Sequence, residues 1–387
     1  MKILLTGGGT AGSVSPLLAI AQKIKKNNSN AEFLWVGAKN GLEKKMVADY
    51  SRAQLGDIKF KPIASGKLRR YFDIRNFFDI FKIKIGFFQS IFIILKFKPD
   101  IILSAGSFIA VPVIWAGWIL GKKSLIHQQD ARPGLANKLM APFATKITVT
   151  FKESLKHFPK NKTVWAGNPV REEIFSGSIE RAIKKFKLDN GVPTLLVMGG
   201  GTGSATINRI IAEAISQLTE FCQIMHLTGG KDGELGKTSV NKANNRGEGM
   251  INDKCQMINF NRYHQVNFLD IQEMADAYAV ADVVVSRCGM SSLTELSALA
   301  KPTIFIPLGG THQEDNAKII LEKKAGIIIW QKELAIDSFV KIVNNIILDK
   351  NKQLALSENI SKILPENATD KVNQIVISVL KKETNSG

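Results

Sequence analysis

The residues best suited to chemistry fall in four runs of the chain. The first, Leu4-Leu5-Thr6-Gly7-Gly8-Gly9-Thr10-Ala11-Gly12-Ser13, is a β run entering a glycine cluster with Gly-x-Gly-x-x-Gly spacing. That spacing lets a backbone approach a phosphate, although a tight strand-to-helix turn without a ligand has it too. A dinucleotide site also wants an acid at the end of the second strand to hold ribose hydroxyls. Here Phe33-Leu34-Trp35-Val36 leads into Gly37-Ala38-Lys39, with no acid, which argues against a dehydrogenase. Thr10, Ser13 and Ser15 around the turn favour a binding role.

The second run, Leu196-Val197-Met198-Gly199-Gly200-Gly201-Thr202-Gly203, repeats the architecture without repeating the sequence. The third, Ser286-Arg287-Cys288-Gly289-Met290-Ser291-Ser292-Leu293-Thr294-Glu295, leaves a buried strand through a glycine and opens a helix on two serines. Such a helix start offers unpaired N–H groups and a positive dipole end to an anion, here a diphosphate. Ser292 and Glu295 also have capping-box spacing, so Glu295 is either a cap or a ligand contact. In the fourth run the strand Pro302–Pro307 is followed by Leu308-Gly309-Gly310-Thr311-His312-Gln313-Glu314-Asp315-Asn316-Ala317. Its polar side chains suit sugar hydroxyls, or an ordinary helix cap. No Asp-x-Asp occurs, which disfavours a metal-dependent nucleotide-sugar site.

These runs need strands and helices to position them. Short β-branched segments alternate with amphipathic helical ones, the signature of parallel α/β architecture. Strands are expected at Ile3–Leu5, Phe33–Val36, Ile101–Leu103, Ser124–His127 and Ile147–Val149. In the second half they are expected at Thr194–Val197, Ile224–Leu227, Asn267–Leu269, Val283–Ser286, Pro302–Ile306 and Gly326–Ile329. The 387 residues suit two Rossmann-like domains in tandem, with ligands at the carboxyl ends of the strands. Gly, Asn and Pro punctuate the chain at Ala166-Gly167-Asn168-Pro169. The expected division is 1–166 plus a C-terminal helix near 368–387, and 167–367.

Three well-separated cysteines, Cys222, Cys255 and Cys288, form no Cys-x-x-Cys pair, so neither a disulfide framework nor a zinc site is expected. The chain enters a strand at Lys2, so no signal peptide is expected. Ile101–Gly121 is 21 residues without charge, long enough to cross a bilayer. The Ser-Ala-Gly-Ser inside it separates a strand from a helix opening near Pro112, so no transmembrane helix is expected.

In combination the four runs, with His127-Gln128-Gln129-Asp130 and Gly167-Asn168-Pro169-Val170-Arg171, resemble the MurG family in order along nearly the whole chain. These are N-acetylglucosaminyltransferases that convert lipid I to lipid II in peptidoglycan synthesis. The resemblance implies a GT-B glycosyltransferase fold of two Rossmann-like domains facing a cleft, UDP-GlcNAc bound by the C-terminal one, and neither metal nor cofactor. Carried over by motif, Glu295 would hold the UDP ribose, and Met290, Ser291 and Ser292 would meet the diphosphate with Arg171 adding positive charge. Leu269 and Met274 would line the uracil pocket, Gln313 would touch the sugar, and Asn316 matches the family's asparagine. Thr10, Gly12, Gly201 and Thr202 match the two glycine loops. Two positions depart from the family pattern. Ser13 stands where members carry the histidine that is a leading candidate for general base. Asp130 stands where members carry an amide, and is expected either to act as base or hold a water, or only to hydrogen-bond the acceptor or cap the following helix.

Charge is unevenly spread. Residues 1–166 carry 27 Lys/Arg against 9 Asp/Glu, the whole of the net +18, while residues 167–387 are balanced. Within 59–98 ten basic residues face only Asp73 and Asp79. Positions 77, 81, 85, 88, 92 and 95 form an apolar helical face, expected to belong partly to the core. Phe77, Phe78 and Phe81 exceed what a core stripe needs, and with Arg69, Arg70 and Arg75 beside them they suit an anionic membrane surface. No nucleic-acid motif accompanies the patch. The expected partners are therefore UDP-GlcNAc, lipid I and the anionic inner leaflet, with the chain peripheral on the cytoplasmic face of the cell membrane. Two other readings compete: a related GT-B enzyme glycosylating a lipid such as diacylglycerol, and a catalytically silent UDP-sugar-binding membrane protein.

Overall fold

The computed structural model describes residues 1–9, 11–51, 56, 58–66, 75–201, 203–229 and 260–381. Thr10, Arg69, Arg70 and Thr202 lie outside them, as do the side chains of Arg75, Phe77 and Phe78. The chain divides into two units, Met1–Arg171 with the C-terminal segment from Leu364, and Glu172–Ile363. The Gly167–Pro169 turn lies inside the first unit, and the change of unit falls after Arg171.

In the first unit the strands are β1 (Lys2–Thr6), β2 (Glu32–Ala38), β3 (Lys59–Ile63), β4 (Ile101–Ser104), β5 (Lys123–Gln128), β6 (Lys146–Val149) and β7 (Thr163–Trp165). Helices α1 (Ser15–Asn27), α2 (Leu42–Tyr50), α3 (Arg75–Phe97), α4 (Ala110–Ile119) and α5 (Leu135–Met140) connect them. The sheet order is β3-β2-β1-β4-β5-β6-β7, every pair parallel. The chain therefore winds one way from β1 and the other way from β4. Their adjoining carboxyl ends, where Thr6 pairs with Ser104, form the switch point at which such sheets bind ligands.

The second unit repeats the plan. It comprises α6 (Ile179–Phe186), β8 (Thr194–Met198), α7 (Ala205–Leu218), β9 (Gln223–Leu227), β10 (Tyr263–Val266), α8 (Ile271–Val280) and β11 (Val283–Ser286). It continues through α9 (Met290–Ala298), β12 (Thr303–Phe305), α10 (His312–Glu322), β13 (Ile327–Ile328), α11 (Ile336–Ile347) and α12 (Lys350–Ser361). The order is β10-β9-β8-β11-β12-β13, again parallel, with Met198 beside Ser286 at the switch point. The last helix, α13 (Ala368–Lys381), packs on α1 in the first unit, with Lys23 Nζ 2.6 Å from Asp370.

Central strands are buried on both faces and read as apolar runs. Ile3, Leu4 and Leu5 are fully buried, as are Leu195, Leu196 and Val197. Edge strands need no such composition, and these are where the expected strands fail. β3 is Lys59-Phe60-Lys61-Pro62-Ile63, largely solvent-facing. β10 is Tyr263–Val266, and Asn267–Leu269, expected as a strand, is the loop after it.

The apolar uncharged stretch is the strand β4 followed by α4, and among the described residues no helix is long and apolar enough to cross a membrane. The apolar stripe on α3 corrects the expectation that part of it is core. Phe81, Ile85, Phe88, Phe92 and Leu95 are all exposed, at 49, 53, 61, 73 and 54%. The face turned to the protein carries Gly86, Ser90 and fully buried Ile94, where Gly86 lies against the Ala64 carbonyl. Spacing alone gives a helical face; it does not say which of two apolar faces the sheet covers. Ile94→Ala should therefore destabilise by about 2–5 kcal/mol, whereas Phe92→Ser should change stability by no more than about 0.5 kcal/mol, in denaturant melts. Equal losses would place the stripe in the core after all.

Candidate active site

At the first switch point the glycine loop leaves β1 against a buried carboxylate. Glu43, at the start of α2, is fully buried and accepts the N–H groups of Gly9 (3.0 Å) and Ala38 (2.7 Å). A Cβ on Gly8 or Gly41 would collide with that carboxylate, which is why the turn is glycine-rich. An acid thus does reach the end of β2, contrary to the sequence expectation, because α2 folds it back. It is shielded from solvent and held by backbone, so it is no ribose ligand.

Ser13 is buried in the short helical turn Ala11–Ser13 and donates to the Gly8 carbonyl at 2.8 Å. Gly12, beside it, is half-buried. The neighbouring loop, after β5, is drawn in by Gln129, whose amide donates to Ala105 O at 3.0 Å. Asn137 donates to Gln128 Oε1 (2.6 Å), and Gln128 in turn to the Asp130 carbonyl (2.8 Å). This pair shapes the turn that leaves Asp130 half-buried. His127 is fully buried. Its Nε2 donates to Asn168 Oδ1 at 2.7 Å, and Nδ1 lies 2.9 Å from the Thr148 hydroxyl. Burial pushes its pKa down to about 4, so the ring is neutral near pH 7 and spans β5, β6 and the Gly167 turn as a structural tie.

At the second switch point, loops after β8, β11 and β12 converge. Arg287 is buried and joins them: it donates to Ser204 Oγ (2.7 Å), Ile306 O (3.0 Å) and Gln331 Oε1 (2.9 Å). Ser204 also caps α7, so one cation fixes the second glycine loop to the α9 loop. In the sequence a lone arginine after a strand carries no signal, because its role lies in three neighbours distant along the chain.

Helix α9 begins at Met290 with Gly289 as N-cap and no side-chain cap bond. The capping-box alternative for Glu295 is thereby overturned, because Ser292 lies within the first turn. Glu295 is buried and accepts from Tyr278 Oη of α8 at 2.9 Å. Met290 is buried and Ser292 half-buried, while Ser291 Oγ is buried without a partner among the described residues. A helix start of this kind, with a free hydroxyl on its first turn, has the donors that an anion accepts from.

Gln313, on α10, accepts from Leu308 N–H at 3.0 Å, and its amide nitrogen faces Gly289. Asn316 is fully buried and donates to Cys288 O at 3.2 Å, so it holds the α9 loop. Leu269 (buried) and Met274 (half-buried) flank the start of α8, whose Asp270–Glu273 capping box fixes its direction. Gly201 is exposed on the loop after β8. Arg171 is the last residue of the first unit.

Residues 3–149 match the glycosyltransferase family 28 N-terminal domain, and residues 194–375 its C-terminal domain. A UDP-N-acetylglucosamine–N-acetylmuramyl-(pentapeptide) pyrophosphoryl-undecaprenol N-acetylglucosamine transferase of Clostridium kluyveri is 35% identical over 97% of this chain and 98% of its own length. The chain belongs to the MurG family of glycosyltransferases. A relative from Bacillus thuringiensis (strain Al Hakam) is 35% identical over 89% of this chain and 91% of its own. The crystal structure of Acinetobacter baumannii MurG matches with a TM-score of 0.71 over 97% of this chain and 99% of that one, at 21% identity. The fold is thus GT-B, two parallel α/β units each with its own switch point.

The buried histidines set a pH dependence. His226, between Tyr263 Oη (2.9 Å) and Asn208 Oδ1 (3.1 Å), is also pushed to about 4 by burial. Unfolded, both rings titrate near 6.5, so the unfolded chain binds more protons between those values. Stability should be complete above about pH 6.5 and fall toward pH 4, by about 3 kcal/mol per ring. Thermal melts from pH 7.5 to 4.5 measure this. A flat Tm would contradict it, and His226→Gln should make the slope shallower.

Proposed function

We propose that this chain transfers GlcNAc from UDP-GlcNAc, with inversion, to the C4 hydroxyl of MurNAc on lipid I, giving lipid II for peptidoglycan synthesis. The carrying observation is identity of about a third, along almost the whole chain, to relatives that bear that activity in their names. The second unit supports the donor half. Its first α9 turn offers free N–H groups and the Ser291 hydroxyl to the diphosphate, and Arg287 ties that loop to Ser204 of the second glycine loop. Glu295, oriented by Tyr278, accepts from the ribose hydroxyls; Leu269 and Met274 bound the uracil; Gln313 meets the sugar. Gly201 and Thr202 of the second glycine loop complete the donor side, and Arg171 adds charge as the diphosphate leaves.

The first unit, 1–171 with the C-terminal helix, takes the acceptor at its switch point, with Thr10 and Gly12 contributing from the glycine loop. In the reaction the acceptor C4 oxygen attacks C1 of GlcNAc, the bond from C1 to the UDP oxygen breaks, and the hydroxyl proton passes to a base. Asp130 is that base. Ser13 cannot serve, because a hydroxyl titrates far above neutrality and this one donates to Gly8 O. His127 cannot serve either, being buried with its Nε2 proton bound to Asn168. Asp130→Asn should lower kcat by about 10²–10⁴ with lipid I as acceptor and leave UDP binding intact. Ser13→Ala should keep most of the activity. Parent-like turnover by Asp130→Asn would remove Asp130 from the mechanism.

The first unit also docks on the anionic cytoplasmic leaflet. Counted by unit, it has 31 Lys/Arg against 12 Asp/Glu, a net of +19, and the second unit a net of −1. The exposed α3 face, with Lys82, Lys84 and Lys96 beside it and Lys84 Nζ 5.8 Å from the Phe81 ring centre, suits insertion among lipid head groups. Arg69, Arg70, Phe77 and Phe78 extend the same basic, aromatic segment in sequence. Raising salt, or removing anionic lipid from vesicles, should release the protein while UDP-GlcNAc affinity changes less than twofold. Parallel losses of both would contradict docking through the first unit.

A further inference from the structure

Among the described residues three carboxylates are buried: Glu43, Glu295 and Asp276. The first two have been placed, Glu43 against the first glycine loop and Glu295 against Tyr278. Asp276 lies in the middle of α8, and a buried charge persists only where partners replace its lost hydration. Those partners come mainly from the segment 176–181, shortly after the change of unit at Arg171. Asp276 Oδ1 accepts from Arg181 Nη2 at 2.7 Å and from Ser178 N–H at 2.9 Å, and Oδ2 accepts from Arg181 Nε at 3.1 Å. The guanidinium grips both carboxylate oxygens, which fixes direction as well as charge. Exposed ion pairs contribute little, but here the carboxylate side chain is only 5% exposed.

Other contacts extend the grip. Arg181 Nη2 also donates to Ser176 O at 2.6 Å, and the Ser178 side chain caps α6 by accepting from Arg181 N–H. Toward the start of α8, Lys185 of α6 pairs with Glu273 at 2.5 Å, and Glu273 accepts from Asp270 N–H at 2.7 Å in the capping box. At Gly177 a Cβ would collide with the Ala275 carbonyl, so the two backbones meet closely there. One side of α8 is thus clamped to α6. Tyr278 is two residues past Asp276, which in a helix of about 3.6 residues per turn is roughly the opposite side. It is fully buried, donates to Glu295 Oε2 at 2.9 Å, and its hydroxyl lies 3.8 Å from Met198 Sδ. Over so short a span a helix is rigid, so the clamp on one side sets where the phenol stands on the other.

We infer that Arg181 and Asp276 are positioning residues for the donor: by clamping α8 they hold Tyr278 on Glu295, the carboxylate that takes the nucleotide ribose. The inference rests on the donor reading above. Calorimetric binding of UDP tests it in the parent, Arg181→Met, Tyr278→Phe and the double variant. Each single variant should weaken UDP by roughly tenfold, the scale of one hydrogen bond to a charged group. Because both act through one contact, the double variant should bind no more than about twofold more weakly than Tyr278→Phe alone. In turnover, Arg181→Met should raise the UDP-GlcNAc KM and leave kcat and the lipid I KM within about twofold of the parent. Asp276→Asn keeps an acceptor for Ser178 N–H and loses the ion pair; it should reproduce the Arg181→Met loss, and it carries the test if Arg181→Met does not fold. UDP affinity within about twofold of the parent in these clamp variants would overturn the inference. So would independent losses that multiply in the double variant, or a lipid I KM that rises in step with the UDP-GlcNAc KM, as a merely structural pair would give. A parent chain that does not bind UDP would overturn the donor reading, and this role with it.

Discussion

Everything functional in this molecule depends on what fills the space behind two glycine turns. A parallel sheet delivers each central strand into a helix start, where backbone N–H groups have no helical partner and must find an acceptor. Behind the first turn the protein supplies its own: the Glu43 carboxylate, sealed from water, takes Gly9 and Ala38 N–H. Behind the second it supplies a cation, Arg287, bonded to Ser204, Ile306 and Gln331, and Ser291 Oγ has no partner among the described residues. Two turns of like architecture therefore carry opposite charge. Under the proposed function the UDP diphosphate belongs at the second turn.

That polarity divides the work. The second unit is nearly neutral in net charge yet has a locally positive turn, suited to a soluble nucleotide-sugar. The first unit is strongly basic on its surface but negative behind its glycine loop, so its charge serves the exterior, where the apolar face of α3 lies open. At the first switch point Asp130 is half-buried on the loop after β5. The tie from His127 to Asn168 keeps that loop region rigid in a neutral form.

How much of this the sequence discloses depends on the range of the interaction. Central strands such as Ile3–Leu5 and Val283–Ser286 are legible because burial on both faces demands apolar, β-branched residues in a row. β3 and β10 are not, because an edge strand is satisfied by backbone pairing with Lys and Gln outward. Motif spacing marks both glycine turns, the α9 start and Asp130. It does not reveal Glu43, Arg287 or Tyr278, whose roles arise from contacts between segments distant in sequence. The stripe on α3 shows the same limit. Its period is local, but which face the sheet covers is a tertiary fact, decided by Ile94 and Gly86.

Amide hydrogen exchange with and without UDP reads both turns at once. The polarity described here predicts that UDP slows exchange in the second unit at 269–274, 287–295 and 308–316, and leaves 7–13 unchanged. Slowed exchange at 7–13, with none at the start of α9, would contradict it.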